Sequence, residues 1–127
     1  MIIKLYEKFT DVEETKNIIF LKAVETHNVD IVDFFVKKGY DINADNAAYK
    51  ASWYDDMFRY FLKHKANIDF LKFDDRRLMD FDVQKALIDF GLESFIYENG
   101  KFNNKLRDIP EYAKVIARFE EIGKYNL

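Results

Sequence analysis

The sequence predicts a mostly α-helical fold assembled from recurring helix–turn–helix units. Three observations carry this. Apolar residues recur at helical spacing, as in Ile31, Val32, Phe34 and Phe35, the stripe of a helix with one buried face. These stripes end at aligned positions, Gly39, Lys65 and Gly91, and Gly39 supplies the left-handed residue that closes a helix. The pattern also returns at a constant interval: Asp30, Asp56 and Asp82 stand 26 residues apart, and Ile31, Met57 and Val83 follow them in register. A fixed period in this range marks stacked repeats, because each unit has an apolar face that only a neighbour can bury.

The elements follow in order along one domain, residues 1–127. Residues 1–17 form a short N-terminal cap, with Asp11 placed to cap a helix starting near Val12. The first repeat spans 18–43. Its opening helix carries Ile19, Phe20, Ala23 and Val24 at helical spacing; Asn28 caps the second helix, and Lys37 and Lys38 sit in the last turn, where cations suit the helix dipole. The second repeat spans 44–69, with Ala47, Ala48 and Ala51 on its first helix and Phe61 and Leu62 on its second. The third spans 70–95; its first helix, KFDDRRLM, is the poorest of the set, while Val83, Leu87 and Ile88 keep the phase of the second. The C-terminal cap spans 96–127. Asn99-Gly100 lies between alternating residues, which fits either a short β-hairpin near 96–103 or a long finger loop. Asp108 then caps a C-terminal capping helix with Pro110 at or near its first turn and Tyr112, Val115, Ile116 and Phe119 on one face.

The stretch FLKAVETHNVDIVDFFVKKGYDIN resembles an ankyrin repeat. The family's alanine pair falls on Ala23 and Val24, its Ile-Val on Ile31 and Val32, its leucine pair on Phe34 and Phe35, and its Gly-Ala-Asp-Val-Asn on Gly39 to Asn43. The second unit matches through Ala51, Met57, Phe61, Leu62 and Ala66 to Asp69, and the third mainly through Val83 to Gly91. The family's period is about 33 residues, and its Thr-Pro-Leu-His opening is replaced here by Ile18, Ile19, Phe20 and Leu21. The resemblance therefore implies an ankyrin-like array with shortened fingers, and with it a non-catalytic protein–protein interaction module.

Composition narrows the function classes. The net charge is −3, so the basic surplus that nucleic-acid binders use to displace counterions from phosphate is missing. There is no cysteine, which removes disulfides, thiolate catalysis and cysteine-based zinc sites. MIIKLYEKFTDVEE has too short an apolar start for a secretion signal, and no apolar run approaches the ~18 residues of a membrane span. A cytoplasmic protein is expected, of the cell or of an infected host cell. The abundance of Lys, Asn, Ile and Phe with a single proline points to an AT-rich source, a low-GC bacterium or its virus.

No catalytic constellation stands out. Ser52 and Ser94 lack the G-x-S-x-G setting of a hydrolase nucleophile. His27 falls in an inter-helix turn and His64 at a helix end, not spaced as a metal pair on one helical face. Asp69, Asp74, Asp75, Asp80 and Asp82 lack the register of a calcium loop and read as a solvated rim with Arg76 and Arg77 as counterions. Phe34, Phe35, Phe58, Phe61 and Phe90 read as core. Trp53 and Tyr54 occupy a turn where the repeat logic does not require them inside, Phe70 and Phe73 flank a short finger, and Tyr49 sits on the inner helix. Exposed Trp, Tyr and Arg anchor interfaces. The expected partner-binding residues are therefore Tyr49, Trp53, Tyr54, Phe70, Phe73, Arg76 and Arg77.

The expectation is thus a module that binds and occludes or recruits a partner protein, such as a phage or mobile-element inhibitor of a host defence complex. No cofactor or metal is expected, nucleic acid is disfavoured, and no membrane contact is foreseen. The alternative is an assembly protein acting through self-association as a homo-oligomer.

Overall fold

The computed structural model describes residues 13–123. Among these the fold is all helical, with no strand. The expected Asp11 cap lies outside the described residues. The chain divides into two compact units, the first ending at Ile68 and the second beginning at Asp69. That boundary falls one residue before the expected edge at 69/70 between the second and third repeats.

The first unit contains α1 (Glu13–Glu25), α2 (Val29–Lys37), α3 (Ala47–Ala51) and α4 (Asp55–Lys63). Helix α1 packs on α2 and α3, and α4 on α2 and α3. Phe20, Ala23 and Val24 of α1 are buried against Ile31, Val32 and Phe35 of α2. The Phe20 ring meets Phe35 edge-on at 6.2 Å and lies 6.4 Å from Phe61, within the range where aromatic pairs add to area burial. Helix α3 buries Ala47, Ala48 and Ala51; small side chains there allow close packing and leave Tyr49 facing outward.

The second unit opens with a 3-10 turn, Asp69–Phe73, then α5 (Asp75–Leu78), α6 (Phe81–Asp89), α7 (Glu93–Asn99), a second 3-10 turn (Asn104–Asp108) and α8 (Pro110–Gly123). Leu71, Leu78, Val83, Leu87, Ile96, Leu106 and Ile116 form its core. The Tyr112 hydroxyl donates to Asp89 at 2.9 Å.

Local geometry recurs with the sequence period. Gly39, Lys65 and Gly91 all adopt positive φ, at 93°, 57° and 74°. Just beyond them the amides of Tyr40, Ala66 and Leu92 donate to the carbonyls of Phe35, Phe61 and Leu87, at 2.9, 3.0 and 2.8 Å. This closes each helix in the same way. At the other end, Asn28 and Asp80 accept from the amides of Ile31 and Val83 at 3.2 and 3.0 Å, satisfying donors that a helix start leaves open.

Two local expectations are corrected. Residues 96–103 form no hairpin: Glu93–Asn99 is helical, and Gly100 ends that helix, its amide donating to Ile96. Asn-Gly closes helices as readily as it turns hairpins, and the helix-compatible run before it decides between them. Asp108 does not cap the last helix either; it ends the 3-10 turn, and Ile109 precedes Pro110. Pro110 does occupy the first position of α8, where its missing N–H costs nothing.

Candidate functional site

Three of the expected contact residues converge. Tyr49, Trp53 and Tyr54, with Lys50, line one side of an open groove of about 520 Å³ in the first unit. Lys22, Glu25 and Thr26 line the other. The placement follows from helical spacing. On α1 the buried positions are 20, 23 and 24, so 22, 25 and 26 fall on the adjoining face. On α3 the alanines point inward, so Tyr49 and Lys50 point outward, and the turn beyond carries Trp53 and Tyr54. Ser52, buried in that turn, donates its hydroxyl to the Tyr49 carbonyl at 2.6 Å.

Trp53 is 54% exposed and Tyr49 37%. Their rings stand nearly perpendicular, 89° apart with centroids 6.3 Å distant, so together they form a walled apolar surface. Tyr54 is half-buried, its ring tilted 40° against that of His27 with centroids 3.6 Å apart. His27 holds a positive φ of 59° in the turn after α1.

A charge pair crosses the groove. Lys50 donates to Glu25 at 2.9 Å. That bond, reinforced by the ammonium charge, holds the Glu25 carboxyl below the usual carboxylate range, and Lys22 adds a weaker pull. The same bond raises Lys50. Among the described residues Lys22 makes no ion pair of its own. The groove therefore carries two ammonium groups against one carboxylate, in a chain whose net charge is −3.

The remaining expected contact residues belong to the second unit. Phe73 ends the first 3-10 turn and is 89% exposed, whereas Phe70 is half-buried. Arg76 is exposed. Arg77 is not a surface anchor: it is 4% exposed, and its guanidinium reaches Asp80 at 3.4 Å. Position 77 lies on the inward side of the short helix α5, beside Leu78. The acidic run is taken up locally. Asp74 and Asp80 cap α5 and α6, while Asp69 and Asp82 face Lys72 and Lys85. Phe35, Phe58 and Phe61 are buried as core, while Phe34 is half-buried and Phe90 is 39% exposed.

Sequence reasoning missed the groove's charged members, Lys22, Glu25 and Lys50. A signal for them existed: Glu25 and Lys50 carry opposite charges 25 residues apart, close to the 26-residue interval at which the sequence pattern returns. No group of three His, Asp or Glu side chains arranged to hold a metal ion occurs among the described residues, and no described helix is long and apolar enough to cross a membrane. No family model, curated protein or solved structure matches the chain.

Proposed function

We propose that this protein is a non-catalytic, ankyrin-like binding module that acts by contact, occluding or recruiting a partner protein through the groove of its first unit. The observation that carries this is the convergence of Tyr49, Trp53 and Tyr54 in one open groove, with Trp53 more than half exposed. Large, stiff aromatic side chains give much contact area for little lost rotamer freedom, which is why they dominate interface energetics. The recurring caps at 39, 65 and 91 support the repeat reading, with α1/α2 and α3/α4 as successive repeats. The shifted groups in the groove, Glu25 and Lys50, are bonded to each other, an arrangement that braces a surface rather than poises an acid or base.

The test is affinity capture from lysate of the native host, comparing wild type with a Trp53→Ala/Tyr54→Ala double variant whose helicity is checked by circular dichroism. A stoichiometric protein retained by wild type and lost with the variant is the expected result. Undiminished retention by a folded variant removes the groove from the interface. Self-association is the second reading, favoured by the 89% exposure of Phe73. It predicts concentration-dependent sedimentation that Phe73→Ser abolishes; a strict monomer at high concentration rejects it.

A further inference from the structure

We infer that the groove takes an acidic, aromatic-bearing stretch of a partner protein, with a carboxylate at Lys22 and a ring on Trp53. This rests on the reading of the groove as the partner surface. The charges decide the sign of the occupant. Glu25 already accepts from Lys50, so an incoming cation finds its one carboxylate taken and two ammonium groups beside it. An incoming anion finds Lys22, which makes no ion pair among the described residues.

The aromatic wall decides the rest. Trp53 presents more than half its surface, with the Tyr49 ring standing perpendicular to it, a corner that accepts a planar side chain edge-to-face. The two poles are close in the fold. Lys22 is one helical turn from Glu25 on α1, and Glu25 is bonded to Lys50, three residues before Trp53. Both poles line the same groove, so one peptide carrying a carboxylate and a ring can engage them together. Thr26 donates its hydroxyl to the Lys22 carbonyl at 2.8 Å, so that proton is engaged within the helix and the ammonium remains the donor for an anion.

The setting adds specificity. The chain carries a net charge of −3, so an acidic segment is repelled by the protein as a whole and attracted at this basic groove. Such juxtaposition rejects wrong docking and fixes register. A single-stranded nucleic acid also likes aromatic faces and lysines, but holding a phosphate backbone takes a row of cations, and this groove has two lysines.

Trp53 is the single tryptophan, so its emission reports on the groove alone. The probe is the blocked pentapeptide Glu-Asp-Phe-Asp-Glu, titrated against its amide counterpart Gln-Asn-Phe-Asn-Gln and against oligothymidylate. The acidic peptide is expected to shift Trp53 emission saturably, and raising salt from about 50 to about 300 mM to weaken it. Lys22→Gln is expected to weaken it about fivefold, the scale of one exposed ion pair, and Lys22→Arg to restore it. Equal binding of the amide peptide overturns the acidic assignment while leaving a partner groove in place. Tighter binding of oligothymidylate overturns it in favour of nucleic acid. No emission change at about 1 mM acidic peptide overturns it too, and the capture experiment above then decides the partner reading separately.

Discussion

Replacing Gln84 with leucine should destabilise the second unit by about 2–3 kcal/mol, although it puts an apolar residue into a core. Gln84 is fully buried on α6, at the repeat position held by Val32 and Phe58 in the earlier helices. Its amide nitrogen donates to the carbonyls of Leu78 and Lys101, both at 2.9 Å, and its oxygen accepts from the Asn103 amide at 2.7 Å. One side chain thus ties α6 to the turn after α5 and to the loop that follows α7. Leucine removes three bonds worth about 1 kcal/mol each, and stranding the backbone groups they satisfied adds about 1 kcal/mol more. Its burial returns about 1–2 kcal/mol, which leaves the net loss stated. With a urea slope of about 2 kcal/mol per molar, the midpoint should fall by roughly 1 M. Hydrogen exchange at the Asn103 amide should accelerate in step, since that proton loses its acceptor. A leucine variant as stable as wild type, with Asn103 still protected, would refute the reasoning.

Further predictions concern the caps and the bridge between α2 and α4. At Gly39, with φ at +93°, an added Cβ meets nothing within 4 Å, so Gly39→Ala should cost only the left-handed backbone penalty, about 1 kcal/mol in thermal unfolding. Lys65 holds the same conformation with a side chain, so Lys65→Gly should stabilise by up to about 1 kcal/mol; a loss instead would mean the position is not an equivalent cap. Asp80→Ala should cost more than about 1 kcal/mol, through the lost bond to the Val83 amide and the lost carboxylate beside the buried Arg77, measured by chemical denaturation. Between α2 and α4, Tyr60 donates to Asp33 at 2.8 Å, and Lys37 pairs with the same carboxylate. Lys37 first and Tyr60 second hold Asp33 below the usual range, so its contribution is present above about pH 3.9 and fades as pH falls through the lowered value. Tyr60 is raised, chiefly by burial and then by Asp33. Its contribution is therefore present below about pH 10 and lost as pH climbs toward the raised value, because the unfolded chain ionises first. Tyr60→Phe should lessen the alkaline decline in urea midpoints, the remainder coming from raised lysines such as Lys37 and Lys50; an unchanged decline assigns all of it to other groups.

The helices of residues 18–63 and 81–89 were legible in the sequence because their signals are local, whereas the expected helix at 72–79 is a 3-10 turn and a four-residue helix. Gly39 stops the stripe that Asn28 starts, and each cap depends on residues three to five positions apart, whereas Asp80, read as part of an acidic rim, caps the helix of Val83. What was not legible depends on which neighbour arrives. Gln84 looks like a surface residue interrupting a stripe until the Lys101–Asn103 segment folds onto it. Arg76 and Arg77 are adjacent in a four-residue helix, too short for a period to say which one turns inward. In the groove, Tyr49, Trp53 and Tyr54 were recognisable as aromatics the core does not need. Lys22, Glu25 and Lys50 were not, because a periodic pattern describes the buried face and is silent on which charges meet across the exposed one.

The measurement that bears most directly on the central claim is site-specific photo-crosslinking in host lysate, with benzoylphenylalanine placed at Trp53 in one sample and at Phe73 in another. A discrete heterologous protein crosslinked through position 53, and suppressed when Tyr49 and Tyr54 are changed to alanine in the same chain, is the outcome the account predicts. Crosslinks only through position 73, or only to a second copy of this chain, would contradict it and return the function to self-association.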